Sequence, residues 1–184
     1  YQWEVTGRAS HAGTTPMDRR RDAAAAVAEL MLFVERCAAA DGDSVGTVGM
    51  LQVPNGSINV VPGRCLFSLD LRAPNNAQRD KLADDVLTEL AAICTRRGVH
   101  HSVTETMRAS AAPSAPEWQA RWEKAVAALG VPLHHMPSGA GHDAMKLHEI
   151  MPQAMLFVRG LNSGISHNPL ESTTNDDMQL AIDA

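Results

Sequence analysis

The feature that most constrains the fold is the stretch from Ser57 to Arg72, SINVVPGRCLFSLDLR. It reads as extended chain, a Pro62-Gly63 turn and then a strand. From Arg64 onward polar and apolar residues nearly alternate. Leu66, Ser68, Asp70 and Arg72 fall on one side, and Cys65, Phe67, Leu69 and Leu71 on the other. A period of two marks a half-buried strand, so the second set is predicted to face a core and Asp70 and Arg72 to face away from it. An amide and a guanidinium fork held on a rigid sheet can together grip a small carboxylate, which makes Asn59 and Arg72 the first candidate pair. Read alone, a surface strand that happens to bear an arginine is the commoner explanation.

The rest of the chain organises around that strand. A strand is predicted over residues 2–9, then a loop of small residues, Ser10-His11-Ala12-Gly13-Thr14-Thr15-Pro16-Met17. A helix follows over 22–40, with Val27, Leu30, Met31, Val34, Cys37 and Ala38 on one face and Asp41-Gly42-Asp43 at its end. A second strand covers 44–53, and Pro54-Asn55-Gly56 forms a turn. After the organising strand, Ala73-Pro74-Asn75-Asn76 breaks the chain and caps a helix over 76–97, striped by Leu82, Val86, Leu90 and Ile93 and stopped by Gly98. A fourth strand covers 99–107. Strand, helix, strand, strand, helix, strand is the split βαβ, or ferredoxin-like, order: an antiparallel sheet with two helices on one face.

Residues 109–116, rich in Ser, Pro and Ala, read as a crossing between domains, which divides the chain into 1–110 and 111–184. In the second part, Trp118, Trp122, Ala125, Val126 and Leu129 form a helical stripe that Gly130 and Pro132 end. A Gly-rich loop over 138–143 opens a short helix. Residues 154–158 form a short apolar run expected to be a buried parallel strand, 160–171 a loop, and 175 onward a helix. This tail resembles the last βαβ portion of an α/β domain whose earlier strands are absent. The chain starts at Tyr1 within an apparent strand and ends at Ala184 within an apparent helix, and is therefore expected to be an internal piece of a longer protein.

A hydrophobic content of 45% can support a core, and a net charge of −5 argues against nucleic acid as the main partner. No apolar run approaches the ~20 residues that span a bilayer, so no membrane is expected. Cys37, Cys65 and Cys94 are scattered, without metal-type spacing or a disulfide framework, and suit buried thiols in a reducing cytoplasm.

Four histidine-bearing or basic segments could carry chemistry. His11, in its Gly-containing loop, could donate to a developing oxyanion, although a solvated loop histidine is the plainer reading. Arg19-Arg20-Arg21 looks basic enough for a phosphate, but it sits at a helix N-terminus, where the dipole does not favour cations, and is expected to be a solvated run or to pair with acidic side chains. Gly139-Ala140-Gly141-His142-Asp143 lets backbone approach a ligand and could orient His142 against Asp143, or be a tight turn into a helix. In Gly164-Ile165-Ser166-His167-Asn168-Pro169-Leu170-Glu171, a neutral His167 on a loop after a buried strand would suit zinc, with Glu171 behind it. The pairs His100-His101 and His134-His135 point to opposite faces of extended chain and chelate poorly. There is no His-x-Asp and no Glu-Glu pair, so the chain alone is not expected to assemble a two-metal hydrolytic site.

Taken in order, four segments resemble the hydantoinase/carbamoylase amidases: Gly7-Arg8-Ala9-Ser10-His11-Ala12-Gly13-Thr14-Thr15-Pro16-Met17 with Arg20-Arg21-Asp22-Ala23; Asn59-Val60-Val61-Pro62-Gly63 with Asp70-Leu71-Arg72; Ser138-Gly139-Ala140-Gly141-His142-Asp143-Ala144; and Ser166-His167-Asn168-Pro169-Leu170-Glu171. That family includes N-carbamoyl-L-amino acid hydrolases, β-ureidopropionases and allantoate amidohydrolases, among the dinuclear zinc aminopeptidase-like amidohydrolases. The resemblance implies an α/β catalytic domain with an inserted ferredoxin-like lid that also forms a homodimer; residues 1–110 would be the lid and 111–184 the C-terminal portion of the catalytic domain. It implies that His11 reaches the partner subunit's active site and stabilises the tetrahedral intermediate. Asn59 and Arg72 would hold the substrate carboxylate, Gly141 would touch substrate through its backbone, and His167 would ligate one of two divalent metal ions. Those ions would be zinc or manganese, with cobalt or nickel as further candidates. The other ligands and a glutamate general base precede the lid in the family, so this chain alone is expected to be inactive. The implied reaction is cleavage of the C–N bond of a ureido acid. An aminoacylase or dipeptidase, and a non-catalytic dimerisation or ligand-binding module, are the alternatives.

Overall fold

The computed structural model describes residues 1–40 and 42–184. Asp41, expected at the end of the first helix, lies outside the described residues. The chain is a mixed α/β protein that divides into two compact units, Tyr1–Ala111 and Ala112–Ala184.

The first unit is built from β1 (Gln2–Thr6), β2 (Ser10–His11), α1 (Ala23–Ala39), β3 (Val45–Thr47), β4 (Leu51–Gln52), β5 (Val60–Val61), β6 (Arg64–Ser68), β7 (Asp70–Arg72), α2 (Asn76–Arg97) and β8 (His100–Thr104). Its main sheet runs β4-β6-β1-β8, antiparallel throughout. Trp3 stands opposite Phe67 on one side and Val103 on the other, and Val5 opposite Cys65 and His101. The predicted alternation holds: Cys65, Phe67, Leu69 and Leu71 are buried, while Asp70 and Arg72 are exposed.

Both helices form where the sequence offers a cap and an apolar stripe. Asp22 accepts from the Ala25 N–H at 3.0 Å at the start of α1, and Asn75 from the Gln78 N–H at 2.9 Å at the start of α2. Gly98 ends α2 in the left-handed conformation, with φ 63°. Leu30, Val27 and Val34 of α1 and Leu90, Ile93 and Val86 of α2 are buried in one cluster with Val5, Cys65 and Phe67 of the sheet and Leu69 between β6 and β7. Each such side chain contributes roughly 1.5–3 kcal/mol on burial, so this cluster is the first unit's main source of stability.

Three predicted strands are shorter than their pattern suggests, and the one expected over 99–107 is formed only over His100–Thr104. The strand expected over 2–9 stops at Thr6, because the Gly7 N–H turns to the Gly63 carbonyl (2.9 Å) and the Arg8 N–H to the Arg21 carbonyl (2.8 Å). Gly63 is needed for this crossing: a Cβ there would stand 2.5 Å from the Ala9 nitrogen. The strand expected over 44–53 splits into β3, paired with β7, and β4, paired with β6. Between them Met50 exchanges two bonds with Ser68, one of them to the Ser68 hydroxyl (3.0 Å), which displaces the regular ladder.

The second unit contains α3 (Pro116–Ala128), α4 (Asp143–Leu147) and α5 (Asn175–Asp183). The strand expected over 154–158 is not formed, since a strand exists by pairing and no described residue supplies its neighbour; Phe157 is 45% exposed and Val158 44%. The buried residue here is Gln153, whose Nε2 donates to the Ala112 and Pro113 carbonyls at 3.2 and 3.3 Å. Among the described residues no helix is long and apolar enough to cross a membrane.

Candidate active site

His11, Asn59 and Arg72 belong to the first unit, and Gly141 and His167 to the second. His11 ends β2, which pairs with β5 so that His11 faces Val60. One residue on, the Ala12 N–H donates to the Asn59 carbonyl at 2.9 Å. The short ladder thus brings the His11 and Asn59 backbones together, with both residues exposed. The Asn59 side-chain oxygen accepts from the Ser57 hydroxyl at 2.9 Å, a local side-chain bond that sets the amide's direction.

Arg72 is carried by a different ladder, β3–β7, opposite Val45. The sequence pairs it with Asn59 on one sheet; the structure puts the two on separate ladders. Its neighbour on the exposed face, two residues back, is Asp70. Arg72 Nε donates to both Asp70 oxygens at 3.0 and 3.1 Å, and Nη2 to Oδ2 at 2.6 Å. The guanidinium beside Asp70 holds that carboxyl below the usual carboxylate range, and the carboxylate raises Arg72 further above its already high value. An exposed pair of this kind adds at most about 1 kcal/mol to stability, so its value lies in fixing where the fork points.

The Arg19-Arg20-Arg21 run departs from its expected reading at one position. Arg19 is solvated beside Asp18 at 3.6 Å. Arg20 is half-buried: its Nη2 donates to the Ala12 carbonyl at 2.6 Å and its Nε to the Thr15 carbonyl at 3.1 Å, on either side of the loop that follows His11. The charge run concealed this role, because three adjacent arginines look alike in sequence. Asp70 stands in the sequence as an outward polar residue and in the Asp70-Leu71-Arg72 segment, and neither reading assigns it to Arg72 as a partner.

In the second unit, Gly141 is exposed in the turn before α4. The His142 ring does not take up the expected pairing with Asp143. Its Nε2 lies 3.3 Å from the Ser138 hydroxyl, and the ring meets Phe157 edge-on, 5.9 Å between centroids. His167 is exposed and adopts a left-handed backbone with φ 55°, strained for a residue with a Cβ. Glu171 supports that conformation: its carboxylate accepts from the His167 N–H at 2.9 Å. Glu171 therefore holds the backbone of His167, where the sequence suggested it would orient the ring. Among the described residues no group of three or more His, Cys, Asp or Glu could hold a metal ion, so the donors present do not amount to a metal centre. Burial pushes the Cys65 and Cys94 thiols up, away from the thiolate form.

The model of peptidase family M20/M25/M40 matches residues 7–184. The chain belongs to this family. Members of the M20 family generally bind divalent metal ions. The chain is 37% identical, over 99% of its length, to an N-carbamoyl-L-amino acid amidohydrolase of Geobacillus stearothermophilus, of which it covers 44%. It is 30% identical over all of its length to an allantoate amidohydrolase of Bacillus subtilis, covering 45% of that protein. A crystal structure of a hydantoinase/carbamoylase family amidase from Burkholderia multivorans superposes with a TM-score of 0.94 at 32% identity, over 99% of this chain and 44% of that one. The crystal structure of AtUAH in complex with glyoxylate superposes with a TM-score of 0.83 at 30% identity, again over 99% of this chain and 44% of that one. This M20 chain thus spans less than half the length of the relatives it matches.

Proposed function

We propose that this chain belongs to an amidohydrolase that cleaves the C–N bond of N-carbamoyl amino acids or allantoate-like acids. The observation that carries the reading is the approach of the His11 and Asn59 backbones, through the His11–Val60 pair of the β2–β5 ladder and the Ala12 N–H bond to the Asn59 carbonyl, in a chain 37% identical to an N-carbamoyl-L-amino acid amidohydrolase. Asn59 and Arg72 bind the substrate carboxylate, the guanidinium by a two-point contact that a lysine could not copy. The glyoxylate bound to AtUAH, itself a small carboxylate, supports that assignment. His11 donates a hydrogen bond to the oxygen that gains charge as the carbamoyl carbon becomes tetrahedral. Gly141 lets substrate approach its backbone, and His167 contributes one imidazole to the divalent metal ions. The remaining ligands and the general base come from outside the described residues, so this chain alone is inactive.

The first unit is a ferredoxin-like lid, a reading supported by the antiparallel order β4-β6-β1-β8. The second is the C-terminal portion of the catalytic domain. The lid also forms the homodimer; β8 ends the sheet and offers a pairing edge. Cys37, Cys65 and Cys94 form no disulfide, which suits the reducing cytoplasm.

The test is an assay of the whole enzyme with N-carbamoyl-L-amino acids, allantoate and N-acyl amino acids in parallel. Turnover of the ureido acids with release of ammonia is expected. Preferred turnover of the N-acyl compounds would transfer the enzyme to the aminoacylases, and activity of the 184-residue chain alone would overturn the division of the site.

A further inference from the structure

The loop after His11 is fixed more firmly than its exposure requires. The Ala12 N–H donates to the Asn59 carbonyl (2.9 Å) and the Thr15 N–H to the His11 carbonyl (3.1 Å). Arg20 then bridges the Ala12 and Thr15 carbonyls with two arms of one planar fork. Inside this bracket the Gly13 N–H donates to His11 Nδ1 at 3.1 Å. An amide N–H can only donate, so the Nδ1 it meets must present a lone pair. The single proton of the neutral ring is then on Nε2, the far side of the ring. Gly13 also makes room for the ring: a Cβ would stand 3.2 Å from Cε1 and 3.5 Å from Nδ1.

We propose that Arg20 is a positioning residue that brackets residues 12–15 so that the Gly13 N–H holds His11 in the Nε2–H tautomer. The consequence for catalysis rests on the role given to His11 above. An oxyanion donor must carry its proton on the outward nitrogen; with the proton on Nδ1, Nε2 would present a lone pair to the developing charge and repel it. A lysine at position 20 keeps the charge but has no fork to span two carbonyls.

The tautomer can be read without activity. Ring ¹⁵N shifts of the chain are measured by NMR at about pH 8.5, well above the ordinary imidazole pKa of about 6.5, with His11 assigned by the loss of its signals in His11→Gln. The wild-type chain is expected to show an unprotonated Nδ1 and a protonated Nε2. In Arg20→Lys the two shifts should move toward each other as the tautomers mix, while the amide spectrum of the sheet is retained. Gly13→Ala, which crowds the ring and leaves Arg20 in place, should do the same. In the whole enzyme Arg20→Lys should lower kcat by up to about 100-fold with little change in KM, as a misplaced reacting group does. A wild-type ring protonated on Nδ1, or an Arg20→Lys ring that keeps the wild-type shifts, overturns the proposal. Mixed tautomers with an unchanged kcat would uphold the bracket and overturn the oxyanion role of His11.

Discussion

The two units differ in what holds them. In Tyr1–Ala111 a continuous cluster, with Val5, Val27, Leu30, Cys65, Val86, Leu90 and Ile93 fully buried, ties both helices to the sheet. In Ala112–Ala184 none of the large apolar side chains is fully buried, and Ile150 and Ile182 are 80% and 76% exposed. The candidate residues are divided accordingly. His11 and Arg72 stand on paired strands and Asn59 just before one, in the unit that has a core, whereas Gly141 and His167 sit on loops held by local bonds. A helix or strand takes its rigidity from the surface it buries, so the first unit can present side chains in fixed directions and the second has far less to fix them with.

The contrast can be broken or sharpened by experiment. The largest expected effect is in hydrogen exchange of this chain: amides of β1, β6, α1 and α2 should exchange only through global opening, while those of α4 and α5 exchange orders of magnitude faster. Equal protection in both units would erase the distinction. Leu90→Ala in α2, which empties a fully buried site, should cost about 2–5 kcal/mol by denaturant unfolding of the first unit. His11→Ala in the whole enzyme should depress kcat by about 10²–10³ while leaving that unfolding transition in place, because the side chain is exposed. Arg72→Lys should raise KM and lower kcat, since charge survives but the fork does not; an unchanged kcat/KM would remove Arg72 from the site.

A smaller effect is expected at Asp70. Its carboxyl is held below its usual range by Arg72, so the pair's contribution is full above the unfolded carboxylate pKa and is lost as pH falls through the lowered folded value. Asp70→Asn should remove that acid-side dependence at a cost of about 0.2–1 kcal/mol, read as the difference between the two proteins' unfolding curves against pH. Smallest of all, Ile182→Ala in this chain should change stability by less than about 0.5 kcal/mol, because its side chain is already in solvent.

Much of the first unit was legible in the residues. Alternation along 64–72 identified the buried face of the organising strand, and Asn75 and Gly98 bounded α2 as expected, because caps and periods are properties of neighbouring residues. The second unit was less legible. The apolar run at 154–158 has the composition of a buried strand, but composition cannot supply the neighbour that a strand needs. Among the site residues, the sequence singled out His11, Asn59, Arg72, Gly141 and His167 one by one, while their supports escaped it. Arg20 was hidden in a basic run, Asp70 read as a polar outward residue, and Glu171 was given a ring to orient when it holds a backbone N–H.

The sequence by itself therefore determined the two helices of the first unit, the caps of α2, the buried face of the organising strand and the family to which the ordered motifs belong, since each of these is written in spacings of a few residues. Only the tertiary structure decided that Arg20 closes the His11 loop across eight residues, that Asn59 meets the residue after His11 while Arg72 stands on a separate ladder, and that residues 112–184 by themselves bury no large apolar side chain. Those are contacts between residues brought together by folding, and a local pattern carries no record of which distant partner will arrive.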